Sequence, residues 1–454
     1  MLYTRDEETI IAQCTPRGSG AIALLRLSGV NAIEIANGLC KLPHGKKLTE
    51  QQTHTIHYGW VTREDGAHLD QVLFLLMRAP ATFTGQDTVE ITCHNNQFLI
   101  ETIIKEAIRL GARYAQEGEF SRRAYLHGKI DLTQAEAIDE LIRANTEFAL
   151  KKSLAQVEGS FSSWVQALEK KLIKAAAWCE ASFEFLDEGG DFVVEITQQL
   201  HTILEQIAQL KTSFDAQKHI RQGIRIACIG SVNVGKSSLF NALLGQNRAI
   251  VADVAGTTRD SIEAGVYRNG VYWTFIDTAG LRQTADAIEA AGIERSHAEA
   301  QLADVIILAF DSSRVLTAQE QEVYDAITTA HEKKIVFVAT KSDLPSVVKN
   351  SGAFPVSTIT NSGIAELEQA LDAKVAQLLQ THEAPFLVNK RQFQLLQRLE
   401  KNIHDILKLC RGDVQYELVA HHLRDTLENL SELTGKSVSE AALDAVFKEF
   451  CVGK

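Results

Sequence analysis

No stretch of this 454-residue chain is apolar for the roughly 20 residues that a bilayer-spanning helix requires. The first turn carries Asp6, Glu7 and Glu8 where a secretory signal has a basic segment followed by an apolar one, so no signal is expected and a cytoplasmic location is. Basic residues are in deficit, 46 Lys and Arg against 58 Asp and Glu, for a net charge of −12. That balance argues against a protein gripping nucleic acid by phosphate neutralisation alone, which needs clustered Lys and Arg. Any RNA contact must be local or shared with a partner. The seven cysteines (Cys14, Cys40, Cys93, Cys179, Cys228, Cys410 and Cys451) are odd in number, scattered and without a Cys-x-x-Cys spacing. A disulfide framework and a zinc site are therefore not expected. Six of them read as small buried hydrophobes, and Cys451, four residues from Lys454, as an accessible thiol. Low-complexity tracts and internal repeats are missing too.

What remains is an ordinary globular composition, 45% hydrophobic and 23% charged, long enough for about three domains. Residues 1–120 alternate aliphatic runs bounded by Gly, Pro or Asp with a helical stretch. Ala21 to Leu27, Val72 to Met77 and Val89 to Cys93 predict strands, and Phe98 to Leu110 a helix, giving an α+β domain. Over 121–219 the period becomes helical. Thr133 and Glu136 have the form of a capping box, Trp164, Leu168, Leu172, Ala176, Cys179 and Phe183 share one helical face, and Ile196, Leu200, Ile203, Ile207, Leu210 and Phe214 share another. The pattern resumes over 381–454 with Leu396, Leu399, Ile403, Ile406 and Cys410, and a second capping box at Ser437 and Glu440. Both stretches read as one helical domain interrupted by an insertion at 220–380. The expected fold class is thus multidomain α/β and α.

The insertion opens with a strand, Ile224 to Ile229, then Gly-Ser-Val-Asn-Val-Gly-Lys-Ser from Gly230, then a helix from Ser238, the order of a Walker A motif. Its amides would wrap the β-phosphate, Lys236 would reach the β- and γ-phosphates, and the Ser237 hydroxyl would ligate magnesium. A strand over Val271 to Ile276 runs into Asp277-Thr278-Ala279-Gly280, and Gly256-Thr257-Thr258-Arg259-Asp260 precedes it as a switch segment, with Thr258 the expected second magnesium ligand. A strand over Ile335 to Ala339 leads to Thr340-Lys341-Ser342-Asp343. Its carboxylate can accept from the paired donors on the guanine edge, which selects GTP over ATP. Asn usually stands where Thr340 does. Phe354 to Val356 leads to Ser357-Thr358, a last base-contacting loop. The full expected nucleotide contact set is Asn233, Val234, Gly235, Lys236, Ser237, Ser238, Ala252, Asp253, Val254, Ala255, Gly256, Thr257, Thr258, Asp277, Thr278, Ala279, Gly280, Thr340, Lys341, Asp343, Ser357, Thr358 and Ile359.

In Ras-like enzymes a glutamine after Asp-x-x-Gly orients the attacking water, and here Leu281 stands in its place. Another group must position the water, and something must neutralise the charge that an arginine finger otherwise covers. Asn233 has two readings, a ligand for a monovalent cation and a loop-capping Asn.

Taken with Phe83-Thr84-Gly85, Gly118-Glu119-Phe120-Ser121, Lys129 to Asp131, Gln134 to Ala137, Asp277 to Arg282, Gly292 to Arg295 and Cys451 to Lys454, these motifs resemble the MnmE (TrmE) family of tRNA-modification GTPases over nearly the whole chain. The resemblance implies a potassium-activated GTPase working as a homodimer. Asn233 and the carbonyls of Ala252, Val254 and Thr257 would cage the ion, and Glu289 would orient the water. It also implies an N-terminal folate-binding and dimerisation domain that takes 5-formyl- or methylene-tetrahydrofolate through Arg26, Glu90, Lys129 and Lys454. Together with the FAD-dependent flavoprotein MnmG (GidA), in a heterotetrameric complex, the family installs a (carboxymethyl)aminomethyl-type group on C5 of the wobble uridine of certain tRNAs. Cys451 is then a nucleophile or a positioner of the tail. Two departures stand out: Ser231-Val232 where the family often has Arg-Pro, and Asn95-Asn96 where Gly-Gly is common. The competing reading is a GTP-dependent switch that docks on ribosome or RNA without one-carbon chemistry.

Overall fold

The computed structural model describes residues 7–184, 192–214, 221, 223–245, 263–277, 298–348, 352–379, 385–412 and 414–453. The chain divides into two compact units, one made of Met1–Asp139, Ala155–Glu205 and Lys390–Lys454, the other of Glu140–Leu154 and Gln206–Asn389.

The first unit begins with a seven-stranded sheet of order β3-β4-β5-β6-β2-β1-β7, where β1 is Ile10–Gln13, β2 Ile22–Ser28, β3 Cys40–Lys41, β4 Thr55–Thr62, β5 His68–Met77, β6 Thr88–His94 and β7 Arg113–Tyr114. All pairings are antiparallel except that of β1 with β7. Period-two alternation sets its faces. Leu25, Leu27, Val72, Phe74, Leu76, Val89 and Ile91 form one core with Ile33 and Ala36 of α1 (Ala32–Leu39) and Ile100, Ile103 and Ala107 of α2 (Gln97–Arg109). On the opposite face Ile22, Ile56, Tyr58 and Leu73 are exposed. The Asn95-Asn96 departure has a structural use, since the Asn96 side chain caps α2 by accepting from the Leu99 amide at 3.2 Å.

The helices that follow are α3 (Glu119–Leu126), α4 (Leu132–Arg143), α5 (Glu147–Val157), α6 (Ser160–Glu184) and α7 (Phe192–Ser213), with three more near the C-terminus at 390–409, 416–434 and 440–447; most of α5 and the last turns of α4 and α7 belong to the second unit, the rest to the first. Helix 416–434 packs against both α6 and 390–409. Glu136, 5% exposed, accepts both arms of Arg391 at 2.6 and 2.8 Å and the Gln392 amide at 2.7 Å, which ties α4 to helix 390–409.

The structure departs from several sequence expectations. The reciprocal capping box of α4 is Asp131 and Gln134, not Thr133 and Glu136: each backbone N–H of the pair donates to the other's side chain, at 3.0 and 2.9 Å. Thr133 already lies inside the helix and Glu136 is committed to Arg391. At the second box the cap is Ser439, which accepts from the Ala442 amide, while Ser437 donates to the Glu428 carbonyl. The buried face of α6 is Phe161, Val165, Leu168, Leu172, Ala175 and Cys179; Trp164 and Ala176 are only half-buried, and the Phe183 side chain lies outside the described set. Cys14 and Cys40 are half-buried rather than core, whereas Cys93, Cys179, Cys228 and Cys410 are buried and Cys451 is exposed.

The second unit is built on a six-stranded sheet of order β13-β12-β11-β8-β10-β9: β8 Ile224–Gly230, β9 Glu263–Arg268, β10 Val271–Asp277, β11 Val305–Asp311, β12 Ile335–Thr340 and β13 Phe354–Val356. Five strands are parallel, and β9 joins the edge antiparallel through the Asn269-Gly270 turn, whose φ angles of 50° and 77° are those a two-residue hairpin requires. Helices α8 (Lys236–Gly245), α9 (Ala318–His331) and α10 (Ile364–Leu379) cover it. One face buries Ile224, Ile226 and Phe275 against Phe240, Leu367 and Leu371, and the other buries Ala227, Ile306 and Leu308 against Tyr324 and Ile327. Burial on both faces explains the unbroken aliphatic run of β11.

Candidate functional site

Because both faces of this sheet are covered, the open surface lies at the C-terminal ends of its parallel strands. β8 ends there at Gly230, between β11 and β10. The backbone at Gly230 fits only without a side chain, as a Cβ would lie 2.4 Å from the Ala309 carbonyl oxygen. Asn233 at φ 63° and Gly235 at φ 98° turn the loop back on itself before α8 begins at Lys236, two residues earlier than its sequence suggests. Val234 is buried, Ser237 half-buried, and Asn233 and Ser238 exposed. Lys236, 8% exposed as a residue, donates from its ammonium to the carbonyls of Gly230 at 2.7 Å and Ser231 at 2.8 Å. Its charge is thus held within the loop by carbonyl dipoles, where an incoming phosphate can compete for it.

Two neighbouring strand ends brace this loop. Thr340, 4% exposed, donates its hydroxyl to the Val234 carbonyl at 2.6 Å, with the Phe310 carbonyl at 3.1 Å. The residue that stands where Asn is usual therefore still ties the β12 end to the loop. Lys341, at φ 56°, reaches Asp311 at 2.6 Å. Burial pushes the Asp311 carboxyl up, but hydrogen bonds from Lys341 and Ser313 outweigh it and leave the pKa below its ordinary value. Asp343 is exposed and accepts from the buried Ser357 hydroxyl at 2.6 Å. That hydroxyl in turn accepts from the amides of Ile359 and Thr360, each at 3.3 Å. Thr358 is half-buried and Ile359 is 82% exposed. The structure thus brings together the loop at 230–237, Thr340 to Asp343 and Ser357 to Ile359. Ala252, Asp253, Val254, Ala255, Gly256, Thr257, Thr258, Thr278, Ala279, Gly280 and Glu289 lie outside the described residues, as does the side chain of Asp277, which closes β10.

A separate set of residues sits in the first unit. Arg26 and Glu90 are cross-strand partners of β2 and β6 and bind each other, Arg26 Nε to Glu90 Oε1 at 2.8 Å, with the guanidinium stacked 5.5 Å from the Phe120 ring centre. Opposite charges expected to meet a ligand one by one are therefore already paired. Lys129 lines a cavity of about 530 Å³ with Tyr125, Asp131, Gln134, Gly435 and Lys436. The C-terminal tail is docked in this unit. Val452 bridges to Glu117, the Gly118 amide donates to the Cys451 carbonyl at 3.3 Å, and the Cys14 thiol donates to the Gly453 carbonyl at 3.1 Å. Gly453, at φ 94°, could carry no side chain, since a Cβ would lie 2.5 Å from the Gln13 carbonyl oxygen. Burial raises the Cys14 thiol pKa, with Arg26 opposing and Glu90 adding to the effect. Lys454 lies outside the described residues.

Sequence reasoning missed Asp311, Arg314, Glu320 and Tyr324. Arg314 pairs with Glu320 at 2.5 and 2.8 Å, and Glu320 closes a capping box with Thr317 at the start of α9. The Thr317-x-x-Glu320 spacing was the available signal.

A glycine-bearing loop between a buried strand and a helix, at the point where a parallel sheet changes direction, with a lysine opening the helix, defines a P-loop nucleotide-binding protein. The family model described as GTP-binding protein TrmE N-terminus matches residues 9–129, and that described as MnmE helical domain matches 132–451. Proteins named tRNA modification GTPase MnmE align end to end. That of Geobacillus thermodenitrificans is 38% identical over 98% of this chain and 99% of its own length. The Geobacillus kaustophilus protein is likewise 38% identical over 98% and 99%, and the Bacillus subtilis protein 35% identical over 98% and 100%. The chain belongs to the MnmE family of tRNA modification GTPases, and it is a GTP hydrolase acting in tRNA modification. Among the described residues no helix is long and apolar enough to cross a membrane.

Proposed function

We propose that this chain is a potassium-activated GTPase which, as a homodimer and with an FAD-dependent MnmG partner, adds an aminomethyl-type group to C5 of the wobble uridine using a tetrahydrofolate one-carbon unit. The observation that carries the folate half is the docked tail, whose Gly453 is held by Cys14, itself within the electrostatic reach of Arg26 and Glu90. A folate offers a guanine-like donor edge to a carboxylate and an anionic tail to cations, so Glu90 on one side and Arg26, Lys129 and Lys454 on the other suit it chemically. Cys451, exposed on the tail, either attacks or holds the tail in place. The exposed Ile22, Ile56, Tyr58 and Leu73 on one sheet face support a second copy as its occupant, because these apolar side chains otherwise meet water.

In the nucleotide half, Lys236 would leave the carbonyls of Gly230 and Ser231 for the β- and γ-phosphates, and Asp343 would accept from the guanine edge. Ser237 and Thr258 would hold magnesium; Asn233, with the carbonyls of Ala252, Val254 and Thr257, would hold potassium. These cations supply the charge neutralisation an arginine finger gives elsewhere. The exposed Asn233, set at φ 63° in the loop, suits that ligand role. Glu289 would orient the water that Leu281 cannot.

Mass spectrometry of wobble uridine from cells lacking this chain tests the whole reading. Loss of the C5 substituent, restored by the intact chain but not by one lacking residues 451–454, is the expected result. Unchanged wobble uridine would favour a GTP-dependent switch on RNA instead.

A further inference from the structure

The loop at Gly230–Ser237 is held from outside as well as by its own hydrogen bonds to the Gly230 and Ser231 carbonyls. Its second residue, Ser231, is gripped from outside at both its main chain and its side chain. The Ser231 amide donates to the Tyr324 phenolic oxygen at 3.0 Å, and that hydroxyl donates to the Ala309 carbonyl at 2.8 Å, so Tyr324 bridges β11 and the loop. The Ser231 hydroxyl receives Arg314 Nη2 at 3.3 Å. Arg314 is itself fixed by the two-point pair with Glu320, and Glu320 is fixed by the Thr317 amide at 2.8 Å. On the inner side the Ser231 carbonyl accepts from Lys236.

We infer that Arg314, Glu320 and Tyr324 are positioning residues for nucleotide binding, acting through Ser231 to hold the phosphate loop open and Lys236 poised before nucleotide arrives. The Ser231 hydroxyl also hydrogen-bonds Glu320 and Tyr324 of α9, and the Arg314 guanidinium, supplied from the loop before that helix, adds a further tie to the same hydroxyl. A pre-shaped loop spares the nucleotide the cost of ordering it. The benefit falls equally on every ligand with a β-phosphate, because the clasp touches the loop and not the γ-phosphate. Arg314 therefore sets affinity and leaves the chemical step alone.

The inference rests on reading Gly230–Ser237 as the phosphate cradle, and the test separates the two. Titrate the full chain with fluorescent GDP and with a non-hydrolysable GTP analogue, using wild type, Arg314→Ala, Tyr324→Phe, Ser231→Ala and the Ser231→Ala/Arg314→Ala pair. Follow GTP turnover in parallel, and the thermal midpoint without nucleotide. The expected result is a Kd raised about five- to twenty-fold in Arg314→Ala and about three-fold in Tyr324→Phe, equally for both ligands, with kcat at saturation within about two-fold of wild type. In the Ser231→Ala background, Arg314→Ala should add little, which marks the shared path. Should Arg314→Ala fail to fold, Tyr324→Phe and Ser231→Ala still carry the test, since each removes one hydroxyl. A wild type that binds no GDP overturns the cradle reading. A wild type that binds, with variants that bind equally well, overturns only the clasp. A fall in kcat with unchanged Kd makes Arg314 a transition-state contact and also rejects it, as does an undiminished Arg314→Ala effect without the Ser231 hydroxyl.

Discussion

The two sheets of this protein solve the same problem in opposite ways. The six-stranded sheet is parallel in five strands and covered on both faces, so no side chain on a strand interior can meet a ligand. Its polar chemistry is pushed to the strand ends, where Gly230, Asp311, Thr340 and Val356 each hand over to a loop. The seven-stranded sheet is nearly all antiparallel, packed by helices along one face and covered on the other beside β1, where Phe120 lies, so charged groups can stand in mid-strand, and Arg26 and Glu90 do. Connection type thus decides where each sheet can place a reactive group. The candidate residues fall on loops in the first case and at alternate strand positions in the second.

The sharpest way to break this separation is Glu289→Ala, which we expect to lower kcat by roughly 10² to 10⁴ with nucleotide Kd nearly unchanged. Steady-state turnover beside a binding titration reads it, and equal loss of both would remove Glu289 from the chemical step. Next comes Gly453→Ala. A Cβ there collides with the Gln13 carbonyl, so the tail should leave its seat. Modified wobble uridine should drop by about ten-fold or more while GTP hydrolysis persists, because the tail's seat and the Gly230–Ser237 loop belong to different units. Modification at wild-type level would show that tail docking is dispensable.

Arg26→Gln removes one charge of the mid-strand pair. Folate affinity measured by calorimetry should weaken about ten-fold, the scale of one charge-assisted hydrogen bond. If GDP affinity falls with it, the sheets are not independent.

The smallest expected effect is acid sensitivity of the Arg314–Glu320 pair. The Arg314 hydrogen bond holds the Glu320 pKa down to about 2, against a value of about 4.3 in an unfolded chain. A depressed carboxyl stabilises the fold fully above its unfolded value and loses that contribution as pH falls toward about 2. Thermal melts of wild type and Glu320→Gln should therefore differ most near pH 6, narrow as pH falls below about 4, and converge only at about pH 2 and below. A gap independent of pH would mean the pair's ionic character contributes nothing.

Much of the second unit was legible in the sequence because its signals are local. A parallel strand buried on both faces reads as an aliphatic run, and Gly230 to Ser237 is contiguous. The strands at 224, 271, 335 and 354 were accordingly found where they stand. Less was legible of pairings across distance. The helical stripe at Leu396 to Cys410 emerged correctly, yet the caps at Asp131 and Ser439 were misassigned by two residues. Several Ser, Thr and Asp residues near a helix start satisfy the same pattern, and only the chain's actual entry selects one. The β9–β10 hairpin was announced by Asn269-Gly270 and passed over.

The residue order alone determined the loop motif at Gly230–Ser237, the Thr340–Asp343 segment at the end of its strand and the helical periods, since each is a matter of spacing along one segment. Tertiary structure alone decided that Arg26 neutralises Glu90, that Cys14 receives the tail, and that Arg314 reaches Ser231 from 83 positions away. Such contacts depend on strand order and on which loops share an edge, and no local pattern encodes a distance between residues that meet only once the sheets have formed.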